Sequence, residues 1–309
     1  MWELTSHLHM KGGTFLEIIE TGDGILLKNA EDFEPMHVFE CGQCFRWHRQ
    51  DDGSYRGVAM GRLLTVRKDS SSIMLQGATV QEFNSTWRKY FDLDRDYGQI
   101  KSRLAEDEVL KRAVEFGYGI RILNQDIWET LVSFIISANN RIPRIMRTVE
   151  SLCACYGERR KASGAEYYSF PGPGTIASLS EDEVRSCGCG FRAPYIIDAA
   201  RRVSGGEVDL DGIREMDTVH ARKSLMELRG VGPKVADCVL LFSMHKYDAF
   251  PVDVWVKRVM EHFYIKEDAG LGRIQEYASE KFGNLAGFAQ QYLFYYIREL
   301  FGRELSGSR

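Results

Sequence analysis

Residues 228–238 read LRGVGPKVADC, and residues 249–255 read AFPVDVW. Gly230 and Gly232 allow the backbone dihedrals of a sharp turn. Pro233 suits the first turn of a following helix, where a missing N–H costs nothing. Upstream, Asp217 or Thr218 can cap a helix that runs to about Leu228. The segment 218–244 therefore reads as helix, four-residue turn, helix. The N–H groups of Gly230, Val231 and Gly232 and the positive end of the second helix point the same way, which makes an anion site suited to a phosphate. A plain αα-corner is the alternative, but G-V-G-P-K at a helix start is much the rarer pattern.

Lys234 falls in the first turn of the second helix. The helix dipole disfavours a cation there, which is one way to prepare a nucleophilic amine. Asp253 follows Pro251-Val252 and precedes an apolar helical segment, so it reads as an N-cap whose carboxylate is kept ionised. Taken singly, these are a solvated lysine and an ordinary cap. Beside a phosphate-binding turn, the pair suggests amine attack on an electrophilic sugar carbon, with a carboxylate stabilising positive charge.

The rest of the chain sets the frame. Of the 309 residues, 44% are hydrophobic and 12% aromatic, ample for globular cores and far from a disordered composition. A formal net charge of −4 neither announces nor excludes a nucleic-acid partner, because binding needs only a local basic patch. Seven cysteines, an odd number at low density, do not form a secreted disulfide framework. Cys41-Gly-Gln-Cys44 has no second pair to complete a zinc site, so buried thiols and no metal are expected. The N-terminus lacks a basic segment followed by an apolar stretch, and no apolar run is long enough to span a bilayer. A soluble, intracellular monomer with no membrane partner is expected.

Short apolar runs at 24–28, 44–48, 55–60, 62–67 and 72–76, separated by turn signals such as Asp51-Asp-Gly53, predict an antiparallel sheet. Helical periodicity takes over later, at 106–115, 126–137, 143–156, 181–187, 194–203, 218–228, 234–244, 254–263 and 286–300. The loops expected between them include SFPGPGTIASL (169–179) and SCGCGFR (186–192). The fold class is α+β: an N-terminal antiparallel β domain over 1–105, then a mostly α-helical region over 106–309.

LRGVGPKVADC followed by FPVD resembles the helix-hairpin-helix (HhH-GPD) DNA glycosylases, and the step from Lys234 to Asp253 is similar to that of the 8-oxoguanine DNA glycosylase/lyases. CGQCFRW (41–47), IISANNRIPRI (135–145), CGFRAPYI (189–196) and FAQQYLF (288–294) resemble segments of the same branch, so the likeness covers the chain from about Gly24 to Phe301. It implies base excision repair on double-stranded DNA containing 8-oxoguanine: base flipping, attack by Lys234, stabilisation by Asp253, then β-elimination. It also implies that Gly42 offers a backbone carbonyl to the lesion N7–H. Phe294 and Cys238 would sandwich the base, and Gln290 would read its Watson–Crick edge. Asn139, Arg144 and Arg192 would hold the orphaned cytosine, with Phe191 as the wedge. No cofactor is implied beyond a monovalent cation at the hairpin carbonyls. Trp255 departs from the family pattern, since it stands where eukaryotic relatives place a histidine near a phosphate. The chain ends soon after Phe301, which suggests a compact prokaryotic form acting in the cytoplasm at the nucleoid; a eukaryotic one would act in the nucleus. The rivals are a non-enzymatic helix-hairpin-helix DNA-binding module and a related glycosylase for another damaged base. The module needs no lysine–aspartate pair. Iron–sulfur relatives carry four cysteines near the C-terminus, whereas none follows Cys238 here.

Overall fold

The computed structural model describes residues 6–11 and 14–306, and side chains from 16 to 300. The expectations about the extreme N-terminus at 1–5 and about the chain end at 307–309 lie outside the described residues. Seven strands form one antiparallel sheet: β1 (Ser6–Lys11), β2 (Thr14–Thr21), β3 (Gly24–Lys28), β4 (Trp47–Arg49), β5 (Tyr55–Ala59), β6 (Arg62–Asp69) and β7 (Ser72–Gln76), in the order β1-β2-β3-β7-β6-β5-β4. The register Ile25↔Leu75, Val66↔Leu75 and Tyr55↔Val66 aligns buried side chains in one row across four strands. Alternation along each strand turns that row inward and the intervening positions outward. Phe33, Phe39, Trp47, Trp87 and Phe91 close this core, with Phe39 stacked on Trp47 at 4.1 Å.

Two strands, β1 and β2, were not expected from the sequence. The strand expected at 44–48 begins only at Trp47; just before it, Gln43 bonds the chain to segments outside the sheet. Its buried amide donates to the Val38 and Arg121 carbonyls, both at 2.8 Å, and accepts from the Leu123 N–H at 2.9 Å. Two of these three backbone partners are distant in sequence, so they tie the CGQC turn to the segment 121–123. Cys41 and Phe45 accordingly belong to the helical core although they precede residue 105.

The expected helices are present with shifted ends, for example Ile127–Ser137, Ile142–Tyr156, Pro233–Ser243 and Ala286–Ser306. Asp217, not Thr218, caps Thr218–Met226, accepting from the Val219 and His220 N–H groups at 3.0 Å each. Pro35–Glu40, Tyr97–Leu104 and Leu271–Phe282 are further helices that the periodicity did not single out. The segments read as loops carry more structure than expected. Pro173–Ala177 is a short helix, and 185–192 winds through π and 3₁₀ turns about Gly188, at φ 92°. Arg159–Ala162 and Ala165–Tyr168 pair as a small hairpin (β8, β9), where Arg159 bonds Glu166 and Arg160 bonds Glu158.

Candidate active site

Five separate segments meet at one pocket: the CGQC turn, the end of Ile127–Ser137 with the turn and helix start after it, the hairpin helix Pro233–Ser243, the Asp253 cap with the start of Val254–Val259, and the C-terminal helix. The pocket is about 600 Å³ and is lined by Gly42, Phe134, Asn139, Lys234, Asp253 and Phe294 among others. An inner recess of about 50 Å³ adds Cys238 and Gln290.

The hairpin places the amine. Gly230 has φ 79°, and a Cβ there would lie 2.6 Å from the Tyr195 ring, so a side chain fails on both conformational and steric grounds. Val231 donates to the Leu228 carbonyl at 3.1 Å, and Ala236 to the Gly232 carbonyl at 3.0 Å, so the turn leads directly into the helix. Gly230 and Gly232 are exposed, whereas Val231 is buried as the anchor of the turn. The two hairpin helices are tied by Asp237, which is fully buried. It accepts from Arg222 at 2.5 Å and from Gln275 at 2.8 Å. Burial pushes its carboxyl up to about 6 against the pull of Arg222.

Lys234 is half-buried. Its Nζ lies 3.4 Å from Ser137 Oγ and 4.9 Å from the centre of the Phe134 ring. One turn on, Cys238 is buried, and burial pushes its thiol up to about 11, so it stands beside the amine as a neutral SH. Asp253 is the N-cap of Val254–Val259, accepting from the Trp255 N–H at 3.0 Å and the Val256 N–H at 2.8 Å. The expectation that capping keeps this carboxylate ionised meets an opposing effect. Burial holds the carboxyl above the ordinary aspartate range, although the Val256 N–H and Lys234 pull it down.

Gly42 has φ 85°, a left-handed conformation that favours glycine. Its neighbours are fixed from both sides: Gln291 Nε2 donates to the Cys41 carbonyl and Gln125 Nε2 to the Gln43 carbonyl, each at 2.8 Å. The Cys41 and Cys44 thiols are both buried and both raised by burial. Gln290 is buried with Oε1 lacking a partner, and Phe294 lines both the pocket and the recess.

The remaining predicted residues gather at the pocket's edge. Asn139 is exposed, with φ 51°. Arg192 is buried and reaches across to it, donating from Nε to the Ala138 carbonyl at 2.9 Å and from Nη2 to the Ala138 and Asn139 carbonyls, the latter at 3.1 Å. Burial and the charge of Arg144 hold the Arg192 guanidinium below its usual range. The exposed ring of Phe191 lies 4.3 Å from that guanidinium. Arg141, Arg144 and Arg147 are exposed and form no ion pair among the described residues. By contrast, Lys257 is paired with Glu261 and Asp268, and the basic residues of the β8–β9 hairpin are paired with glutamates. Of the three arginines, Arg141 lines the pocket, where an anionic strand would be received.

Phe134, Ser137 and Arg298 are among the pocket residues that escaped the sequence reading. Arg298 had a signal, since Gln290, Phe294 and Arg298 recur every four residues along one helix face. Ser137 and Phe134 sit on a helix buried nearly all round, where no periodicity marks the functional side.

Comparison with known proteins follows these elements. Residues 25–131 match the model for the N-terminal domain of 8-oxoguanine DNA glycosylase, and residues 132–283 match the HhH-GPD superfamily of base excision DNA repair proteins. A crystal structure of the Clostridium acetobutylicum 8-oxoguanine glycosylase/lyase, in complex with double-stranded DNA containing cytosine opposite to 8-oxoguanine, superposes with a TM-score of 0.89. It is 46% identical, over 92% of this chain and 98% of that one. A probable N-glycosylase/DNA lyase of Methanothermobacter thermautotrophicus is 35% identical over 67% of this chain and 72% of its own. The N-glycosylase/DNA lyase of Saccharomyces cerevisiae is 30% identical over 88% of this chain and 85% of its own.

Proposed function

Because this chain belongs to the 8-oxoguanine DNA glycosylase/lyase family of the HhH-GPD superfamily, we propose that it excises 8-oxoguanine from opposite cytosine in duplex DNA and then nicks the strand, with Lys234 and Asp253 as its catalytic residues. The observation that carries this reading is the opening of Lys234 and Asp253 onto one pocket whose inner recess holds Cys238, Gln290 and Phe294. A glycosidic carbon is unreachable inside the base stack, so the nucleotide must be flipped into such a pocket. The recess has room for only a few water molecules. A planar base therefore enters by separating Phe294 from Cys238 and lies between them. Gln290 brings its unpartnered Oε1 to the purine's Watson–Crick donors. The carbonyl of Gly42 accepts a hydrogen bond from the lesion's N7–H and faces a lone pair in guanine, a costly pairing once water is excluded.

The unprotonated amine of Lys234 attacks C1′, and the bond to the base breaks with its electron pair leaving on the base. Asp253 stabilises the positive charge that develops on the sugar. Opening of the sugar ring leaves a protonated imine, which acidifies C2′. Loss of that proton expels the 3′ phosphate by β-elimination, and hydrolysis of the imine frees the lysine. No step calls for a cofactor. A monovalent cation held by carbonyls of the hairpin would steady the turn that meets the phosphates and takes no part in bond making.

Phe191 is the wedge that fills the stack, and Asn139, Arg144 and Arg192 hold the cytosine left behind. The test is borohydride trapping on an 8-oxoguanine duplex. Wild type forms a covalent adduct, and Lys234→Gln forms none and excises nothing while still binding the lesion. Excision by Lys234→Gln at near the wild-type rate overturns the nucleophile assignment.

A further inference from the structure

Two buried side-chain atoms without a hydrogen-bond partner lie on the pocket face of the C-terminal helix: Oε1 of Gln290 and Nη1 of Arg298. Gln290 stands in the inner recess, Arg298 in the wall of the outer pocket, and Phe294, midway between them on that face, in both. A buried guanidinium N–H with nothing to bond is costly, so a site that keeps one is built for an acceptor that arrives later. The group is not free to swing away. Its Nη2 donates to the Glu40 carbonyl at 2.6 Å, and its Nε to the Glu299 carboxylate at 3.2 Å. The place of Nη1 is defined by Gly42: a Cβ built there would lie 3.1 Å from Nη1 and 3.0 Å from Cε1 of Phe294. The orphaned donor therefore sits beside the Gly42 backbone, on a guanidinium whose central carbon is 5.4 Å from the centre of the ring on which the base would stack.

We propose that Arg298 is a specificity residue that donates from Nη1 to the 8-oxygen of the damaged purine. The inference rests on the reading that Phe294 stacks on the base and the Gly42 carbonyl accepts its N7–H. C8 is bonded to N7, so the lesion presents an N–H and a carbonyl oxygen side by side on one ring edge. A complementary wall needs an acceptor and a donor side by side, and Gly42 with Arg298 supplies both. Guanine carries C8–H at that point and would leave the guanidinium N–H dry and unbonded. Arg298 thus gives the lesion a bond that guanine cannot make, independent of the contact at Gly42. A DNA phosphate is the competing acceptor. It is less suited, because Nη1 has no solvent access, whereas an exposed cation in the pocket lining, Arg141, is open to a solvated backbone.

The test compares wild type, Arg298→Met and Arg298→Lys on duplexes carrying, opposite cytosine, a non-cleavable 2′-fluoro 8-oxoguanosine, guanine, or a tetrahydrofuran abasic analogue. Loss of one charge-assisted bond should weaken lesion binding by Arg298→Met about ten- to a hundredfold. The lesion-over-guanine ratio narrows by the same factor, abasic binding is unchanged, and Arg298→Lys recovers part of the ratio. An equal loss on the abasic duplex places Nη1 on a phosphate and overturns the proposal, as does an unchanged lesion-over-guanine ratio. Should Arg298→Met show no cooperative melt, Arg298→Lys decides alone, because a single nitrogen lacks the spread of the guanidinium fork, whose Nη2 holds Glu40 while Nη1 faces the 8-oxygen; an undiminished ratio then overturns the proposal. A wild-type protein with no preference for the lesion overturns the underlying reading as well, which separates that failure from failure at Arg298.

Discussion

Asp253→Asn separates the electrostatic role of this residue from its structural one. Asparagine is as good an N-cap as aspartate and keeps an oxygen for the Trp255 and Val256 N–H groups, so the start of Val254–Val259 survives the change. Burial already holds the carboxyl above the ordinary aspartate range, so removing its charge costs the fold little. Chemistry should respond very differently. Opposite unit charges about 4 Å apart at an effective dielectric of about 20 attract by about 4 kcal/mol, which is on the order of a thousandfold in rate. Loss of a positioned stabiliser elsewhere costs about a hundred- to a thousandfold, and that range is expected here. Single-turnover excision from an 8-oxoguanine·cytosine duplex gives the rate, and a thermal melt gives the stability. The wild-type rate should also fall on the acid side, at a pH above the ordinary aspartate value, as the carboxylate takes up a proton. The variant should lack that limb. An excision rate within tenfold of wild type, or a loss that merely tracks unfolding, refutes the stabilising role and leaves Asp253 a helix cap.

Arg144→Met should narrow the preference for lesion·cytosine over lesion·adenine by about fivefold to a hundredfold, the worth of a bidentate contact. It should leave the choice between lesion and guanine alone; single-turnover excision from lesion·cytosine, lesion·adenine and guanine·cytosine duplexes measures both. Gly42→Ala forces a side chain into φ 85° and against Phe294 and Arg298, so a loss of about 1–3 kcal/mol in denaturant unfolding is expected. Lesion excision should drop with it even at temperatures where the variant is folded. Burial pushes the Glu129 carboxyl up to about 7, although Arg46 opposes this. The folded state therefore holds a proton that the unfolded chain releases near 4.5. That contribution is full below the lower value and is lost as the pH rises through the upper one. Melting of Glu129→Gln from about pH 5 to about pH 7.5 should show a shallower decline than wild type.

Much of this site was legible where the physics is local. Gly230, Gly232, Pro233 and Lys234 announce a turn and a helix start through dihedral preference and one missing N–H. Asp253 announces a cap through its place before an apolar helical run. Short apolar runs at 24–28 and 62–67 announce strands for the same reason: each signal is complete within a few residues. The tertiary structure alone decided what those elements face. Gly42 becomes a fixed wall of the pocket because Gln125 and Gln291, far away in the chain, bond the carbonyls on either side of it. Arg192 meets Asn139 only because two loops close against each other. The carboxyl of Asp253, which its capping bonds alone would favour as an anion, is shifted the other way by burial. The unpartnered atoms of Gln290 and Arg298 carry no mark in the sequence. Burial, desolvation and long-range hydrogen bonds depend on what surrounds a residue in space, so they arise only when distant segments are packed together.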